Sequence, residues 1–111
     1  MHTITWSDFE KVDIRTGTII KVEEFPEARN PAYKLYIDFG ELGQRKTSAQ
    51  ITKLYNKEEL IGKRIIAVVN FPPKQIGKFM SECLVLGVVG ANKEVSLLTA
   101  DHNLGNGTRI G

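Results

Sequence analysis

At 111 residues and 12.4 kDa the chain is one domain by size, long enough for a single core and too short for a second. A hydrophobic fraction of 41% and a charged fraction of 25% are those of an ordinary globular protein, and no segment approaches the ~18 consecutive apolar residues of a membrane span. The opening MHTITWSDFEKVD has no basic stretch followed by an apolar run, so a cytoplasmic protein without membrane insertion is expected.

The net charge of +2 is too small to imply a nucleic-acid partner, but its distribution is uneven. Residues 1–42 carry five Lys or Arg against eight Asp or Glu, residues 43–78 carry eight against two, and residues 79–111 carry two against three. The basic charge sits in the middle third, where it marks either an anion-binding surface or a solvated face. Cys83, inside CLVLGVV, is the only cysteine; it excludes an internal disulfide and reads as a buried thiol. With only His2 and His102 besides, no zinc set can be assembled, and no metal or cofactor is expected.

In chain order, Ser7 and Glu10 fit the capping-box spacing and predict a short N-terminal helix. VDIRTGTIIKVEEF then alternates, with Val12, Ile14, Ile20 and Val22 on one face and Asp13, Arg15, Lys21 and Glu23 on the other, while Gly17 permits a bend. This is a long, curled first strand. The turn PEARNPA leads to KLYIDFG, with Leu35, Ile37 and Phe39 on one face; after the short link ELGQ, RKTSAQI sets Thr47, Ala49 and Ile51 against Lys46, Ser48 and Gln50.

YNKEELIGK predicts a short helix, with Asn56 as N-cap and Gly62 as stop. KRIIAVVNF, rich in Ile and Val without alternation, predicts a buried strand. Pro72–Met80 reads as a loop holding Lys74 and Lys78 with no carboxylate before Glu82. ECLVLGVVG predicts another strand, ANK a hairpin turn into EVSLLTA, and HNLGNGTRIG an irregular tail. The fold class is therefore all-β: a five-stranded OB-fold barrel with a short helix between strands 3 and 4, an N-terminal helical turn and extra C-terminal strands.

No catalytic constellation is found. His102 lies in the Gly- and Asn-rich tail, Ser81 has no motif-like base, and Glu23, Glu24 and Glu27 read as a solvated turn, so the chain is not expected to be an enzyme. The OB arrangement instead gathers Lys34, Lys46, Ser48, Gln50, Asn70, Lys74 and Lys78 around a groove where Tyr36 could stack on a base. Lysines attract phosphate, while amides and hydroxyls bond according to shape. The competing reading is a polar sheet face that merely meets solvent.

The runs FEKVDIRTGTIIKVE, KLYIDFG and YNKEELIGKRIIAVVNFPPKQIGKFMSECLVLG resemble the tRNA-binding domain found at the end of some methionyl-tRNA synthetases and as free-standing bacterial proteins. Within that family the short chain and its ARNPAYK turn are most similar to a free-standing homodimeric branch associated with chaperone activity in protein export. The resemblance implies an OB-fold, a homodimer, structure-directed tRNA binding and no metal. The family's start motif falls on Phe9, Lys11, Asp13, Arg15 and Gly17, and its loop motif on Asn70, Pro73, Lys74, Gly77, Ser81 and Glu82, which adds Arg15 and Ser81 to the RNA-binding candidates. Two positions depart: Ala49-Gln50-Ile51 replaces Ser-Gly-Ile, and Cys83-Leu84 replaces Gly-Met after Ser81-Glu82. Gln50 fills space while offering a donor and an acceptor, and Leu84 removes a polarizable contact.

An alternative follows from the same resemblance: a module binding unfolded or pre-secretory polypeptides through Tyr33, Tyr36, Phe71, Phe79 and Met80, with core packing as the competing explanation of Phe71 and Phe79. Trp6, Phe9, Leu84, Leu86, Val88 and Leu97 offer more apolar surface than a barrel of this size readily buries, and are the expected homodimer contacts.

Overall fold

The computed structural model describes residues 1–111. Helix α1 spans Trp6–Glu10 and is opened by Thr5, whose hydroxyl accepts the Asp8 N–H at 3.1 Å while the Asp8 carboxylate accepts the Thr5 N–H at 3.0 Å. The capping box thus lies two residues before the expected Ser7–Glu10 pair. Both pairs have the right spacing, but only the earlier one completes a turn before the chain must become extended.

Strand β1 runs Ile14–Glu24, β2 Tyr33–Asp38, and a 3-10 turn, Gly40–Leu42, leads to β3 at Gln44–Ala49. Helix α2, Lys57–Leu60, sits between β3 and β4, Arg64–Val68. Asn56 caps it and Gly62, at φ +86°, stops it, as the sequence predicts. The short strands β5 (Lys74–Ile76), β6 (Phe79–Ser81), β7 (Leu84–Val85), β8 (Gly87–Val89) and β9 (Val95–Leu97) follow. The main sheet has the order β3-β2-β1-β4-β7, antiparallel throughout. It curls until β3 meets the segment after β6, where the Glu82 N–H donates to the Lys46 carbonyl at 2.8 Å. The result is the expected all-β, OB-like architecture, a nearly closed five-stranded barrel.

β1 can serve two neighbours because it bends: Ile14–Thr18 pairs with β4 and Thr18–Glu24 with β2. At Gly17 a Cβ would lie 2.8 Å from side-chain atoms of both Ile37 and Phe39, so the bend needs the missing side chain. The alternation differs from expectation. A bulge between Ile19 and Lys21 inserts one residue, so Ile19 is fully buried while Ile20 is 41% exposed, and only Val22 recovers the expected face. Leu35, Ile37 and Phe39 are buried as predicted, with Thr47, Ile51, Leu60, Ile65 and Ala67 around them.

Two further expectations change. The Pro72–Met80 loop is a hairpin, β5 against β6, turning at Gly77 and Lys78 with Gly77 at φ +61°, the geometry of a two-residue hairpin turn. ECLVLGVVG is not one strand: the Leu86 N–H still bonds the Ile66 carbonyl at 2.9 Å, but its own carbonyl accepts from Leu98, so the chain changes partner from β4 to β9. The tail is irregular, yet it lies along the first half of β1 through Gly107 N–H to Thr16 O at 2.7 Å and Ile110 N–H to Ile14 O at 2.8 Å.

Candidate nucleic-acid interface

On the outer face of the β2–β3 pair, Lys34 stands opposite Ser48 and Tyr36 opposite Lys46, which makes Lys34 and Lys46 diagonal neighbours. Their ammonium groups turn toward β6. Lys34 Nζ is 4.9 Å from the Phe25 ring centroid and 5.3 Å from that of Phe79, and Lys46 Nζ is 5.2 Å from the same Phe79 ring. The two rings form a tilted pair 5.4 Å apart and are buried with Ala32, with Ala28 and Ile76 packed against them. This satellite cluster ties the turn after β1 to the β5–β6 hairpin. The hairpin itself carries Lys74 on its first strand and Lys78 at its tip.

The chain's ion pairs are Lys11–Asp8, Arg15–Asp13, Lys21–Glu23, Lys57–Glu24 and His102–Asp101; none involves Lys34, Lys46, Lys74 or Lys78. Glu82, the nearby carboxylate in sequence, accepts instead from the Lys46 backbone N–H at 3.0 Å. Beside the hairpin, a groove of about 710 Å³ opens between β3 and β7–β8, its polar lining supplied by Ser48, Gln50, Lys74 and Ser81 and its apolar lining by residues including Phe71 and Leu84.

The other sequence candidates fall elsewhere. Arg15 is clamped by Asp13, with Nε 2.6 Å from Oδ1, and donates to the Gly107 carbonyl at 3.0 Å, which anchors the tail. The bond to Arg15 holds the Asp13 carboxyl below the usual carboxylate range. Asn70 is committed at both ends, accepting the Asp13 N–H at 2.9 Å and donating to the Lys11 carbonyl at 2.7 Å. The Ser81 hydroxyl bonds Thr47 Oγ1 at 2.6 Å. Tyr36 donates its hydroxyl to Glu23 at 2.7 Å and lies under Lys21 Nζ, 5.0 Å from the ring centroid. This bond lowers the Glu23 carboxyl and raises the Tyr36 phenol. Tyr36 can thus offer a base only what Lys21 leaves uncovered.

Tyr33 is buried, its hydroxyl donating to the Tyr55 carbonyl at 2.9 Å, and burial raises its phenol. Phe79 is buried too, whereas Phe71 and Met80 are exposed. Burial pushes the Cys83 thiol up to about 12, as expected of a core cysteine. Of the proposed dimer contacts, Trp6, Leu84 and Val88 are exposed and Phe9 and Leu86 are partly so, but Leu97 belongs to the main core. Sequence reasoning passed over Phe25 and Thr47. Phe25 carries a faint signal as an aromatic directly before Pro26, and Thr47 one as the only hydroxyl on an otherwise apolar face.

An OB-like barrel whose outer β2–β3 face bears unpaired lysines is the architecture of an oligonucleotide-binding domain. The family described as "Putative tRNA binding domain" matches residues 14–109, and this chain belongs to it. Within it the chain is CsaA-like: it is 54% identical to the chaperone CsaA of Bacillus anthracis str. Ames, covering 99% of this chain and 100% of that one with a TM-score of 0.95. It is 55% identical to the CsaA chaperone protein of Picrophilus torridus, with 98% and 100% coverage and a TM-score of 0.92. It is also 35% identical over 107 residues to the methionine–tRNA ligase of Bdellovibrio bacteriovorus. That match takes in 96% of this chain but only 15% of the ligase.

Proposed function

We propose that this protein is a non-enzymatic, homodimeric tRNA-binding protein that recognises RNA shape through the basic face and groove around the β5–β6 hairpin. The observation that carries the reading is the gathering of Lys34, Lys46, Lys74 and Lys78 around one hairpin without an ion-pair partner among them. Ser48 and Gln50 extend that surface into the groove. The lysines attract the RNA backbone without reading its sequence, so discrimination comes from how the folded RNA fits the face. Pairing two copies through Trp6, Phe9 and Val88, which lie outside the groove that Leu84 and Leu86 line, covers exposed apolar surface and lets two weak sites act at high effective concentration.

Reversing Lys74→Glu and Lys78→Glu together tests the reading. tRNA binding is expected to weaken, and the slope of log affinity against log salt to become shallower by about one for each phosphate that no longer meets a lysine. Unchanged affinity removes the hairpin from the interface. A second reading is favoured by the groove's apolar lining, with Phe71 and Leu84 exposed in it, and by the similarity to two proteins described as CsaA chaperones. In that reading the groove takes an unfolded polypeptide. Displacement of bound tRNA by a denatured client assigns both ligands to one surface.

A further inference from the structure

We propose that Phe79 is a fixed platform that positions Lys34 and Lys46 as a two-ammonium clamp for a single phosphodiester group of the RNA backbone. The inference rests on the tRNA-binding reading and names the contact by which that surface holds its ligand. Lysines on an exposed sheet face ordinarily extend into solvent on four-carbon stems, and ordering them is entropically unfavourable. Here both are drawn over the Phe79 ring, Lys46 at 5.2 Å from its centroid and Lys34 at 5.3 Å, with Lys34 also 4.9 Å from the centroid of Phe25. The ring cannot follow them, because Phe79 is itself buried against Phe25.

The negative face of the ring attracts each ammonium, but the two positive charges repel one another, and no carboxylate is ion-paired to either. An anion between them turns the repulsion into two attractions. A phosphodiester suits the pair: it carries one negative charge over two non-bridging oxygens, one for each ammonium. A carboxylate has the same two oxygens. The phosphodiester is favoured because Lys74 and Lys78 continue the positive charge along the hairpin, as a repeating backbone requires and a single carboxylate does not. Phe79 touches no ligand in this scheme; it acts through the lysines.

The experiment follows the lysine ammonium resonances by 15N NMR while the protein is titrated with UpU, which contains one phosphodiester, alongside tRNA titrations. In the unaltered protein the Lys34 and Lys46 signals are expected to shift together with UpU. In Phe79→Leu, which keeps an apolar side chain but no ring, the Lys46 shift should shrink most and the Lys34 shift less, because Phe25 still faces Lys34. The shifts of Lys74 and Lys78 should persist and tRNA affinity should fall about three- to tenfold; an undiminished Lys46 shift overturns the platform. Phe79→Tyr, which keeps the ring, should restore the response.

Should Phe79→Leu fail to fold, Phe79→Met, which also lacks a ring, takes its place for the platform, and the unaltered protein still decides the clamp. Shifts with UpU but no tRNA binding support the clamp and overturn only the tRNA-binding reading. Tight tRNA binding with Lys34 and Lys46 unmoved overturns the clamp and leaves that reading intact. A larger response of the two lysines to a tetra-aspartate peptide overturns the phosphodiester assignment.

Discussion

Thr47→Val tests how the barrel is closed. Thr47 is 2% exposed, and its hydroxyl spans the seam between β3 and the chain after β6. Having one proton, it donates to the Cys83 carbonyl at 2.7 Å and accepts from Ser81 Oγ at 2.6 Å. Valine keeps the β-branched shape and the strand preference, so packing is preserved and the hydroxyl is the main loss. The Ser81 hydroxyl, only partly buried, can turn to water, but the buried Cys83 carbonyl loses its donor. A stranded buried carbonyl costs about 1–3 kcal/mol, so a loss of about 2 kcal/mol is expected. For a chain of this size that corresponds to a fall in Tm of about 8 °C. Urea unfolding followed by far-UV circular dichroism reads it best, because Trp6, the sole tryptophan, is exposed on α1 and reports little of the core. The midpoint should fall with an unchanged denaturant slope. Thr47→Ser, which keeps the hydroxyl and loses a methyl, should cost only about 1 kcal/mol. A valine variant as stable as the unaltered protein would refute the seam argument.

The remaining predictions concern the tail and its anchor. Gly107 sits at φ +77°, and a Cβ there would lie 2.3 Å from the Phe39 carbonyl oxygen, so Gly107→Ala should cost about 2 kcal/mol and loosen the tail. Faster amide exchange at Thr16 and Ile110, with β2–β3 protection retained, is the expected signature, and unchanged exchange contradicts it. The Asp13 carboxyl is depressed by its bond to Arg15, so its stabilisation is present above the ordinary carboxylate pKa of about 3.9 and is lost as pH falls through the lower folded value. Asp13→Asn should therefore reduce the difference in urea stability between pH 5 and strongly acidic solution. An undiminished difference would show that other carboxylates carry the acid sensitivity.

The barrel was legible because its determinants are local and periodic. Leu35, Ile37 and Phe39 repeat every second residue, Asn56 and Gly62 bracket α2, and a helix between the third and fourth strands distinguishes this barrel from a simple meander. The errors arose where one residue alters the count. The bulge at Ile20 exchanges the faces of β1, and nothing in TIIKVE marks which residue is extra. Thr5 and Ser7 both satisfy the capping spacing, and only the start of β1 decides between them.

In the candidate interface, the run of lysines was legible in the sequence and the commitments of the polar residues were not. Asn70 and Ser81 bond to Lys11, Asp13 and Thr47, which are 59, 57 and 34 residues away, and such partners leave no trace in local pattern. The same distance in sequence hid the ring beneath Lys34 and Lys46. Phe79 reads as one apolar residue of a lysine-bearing loop until the fold brings it against β2 and β3.

Titration of the purified protein with tRNA at several salt concentrations, with single-stranded and duplex DNA as controls, tests the central claim most directly. Each phosphate contact contributes about −0.7 to −0.9 to the slope of log affinity against log salt. The account predicts tight tRNA binding, a slope steep enough for several lysine contacts and much weaker binding of both DNAs. Equal binding of tRNA and DNA, or none of either, would contradict it and leave the apolar groove and its polypeptide as the leading alternative.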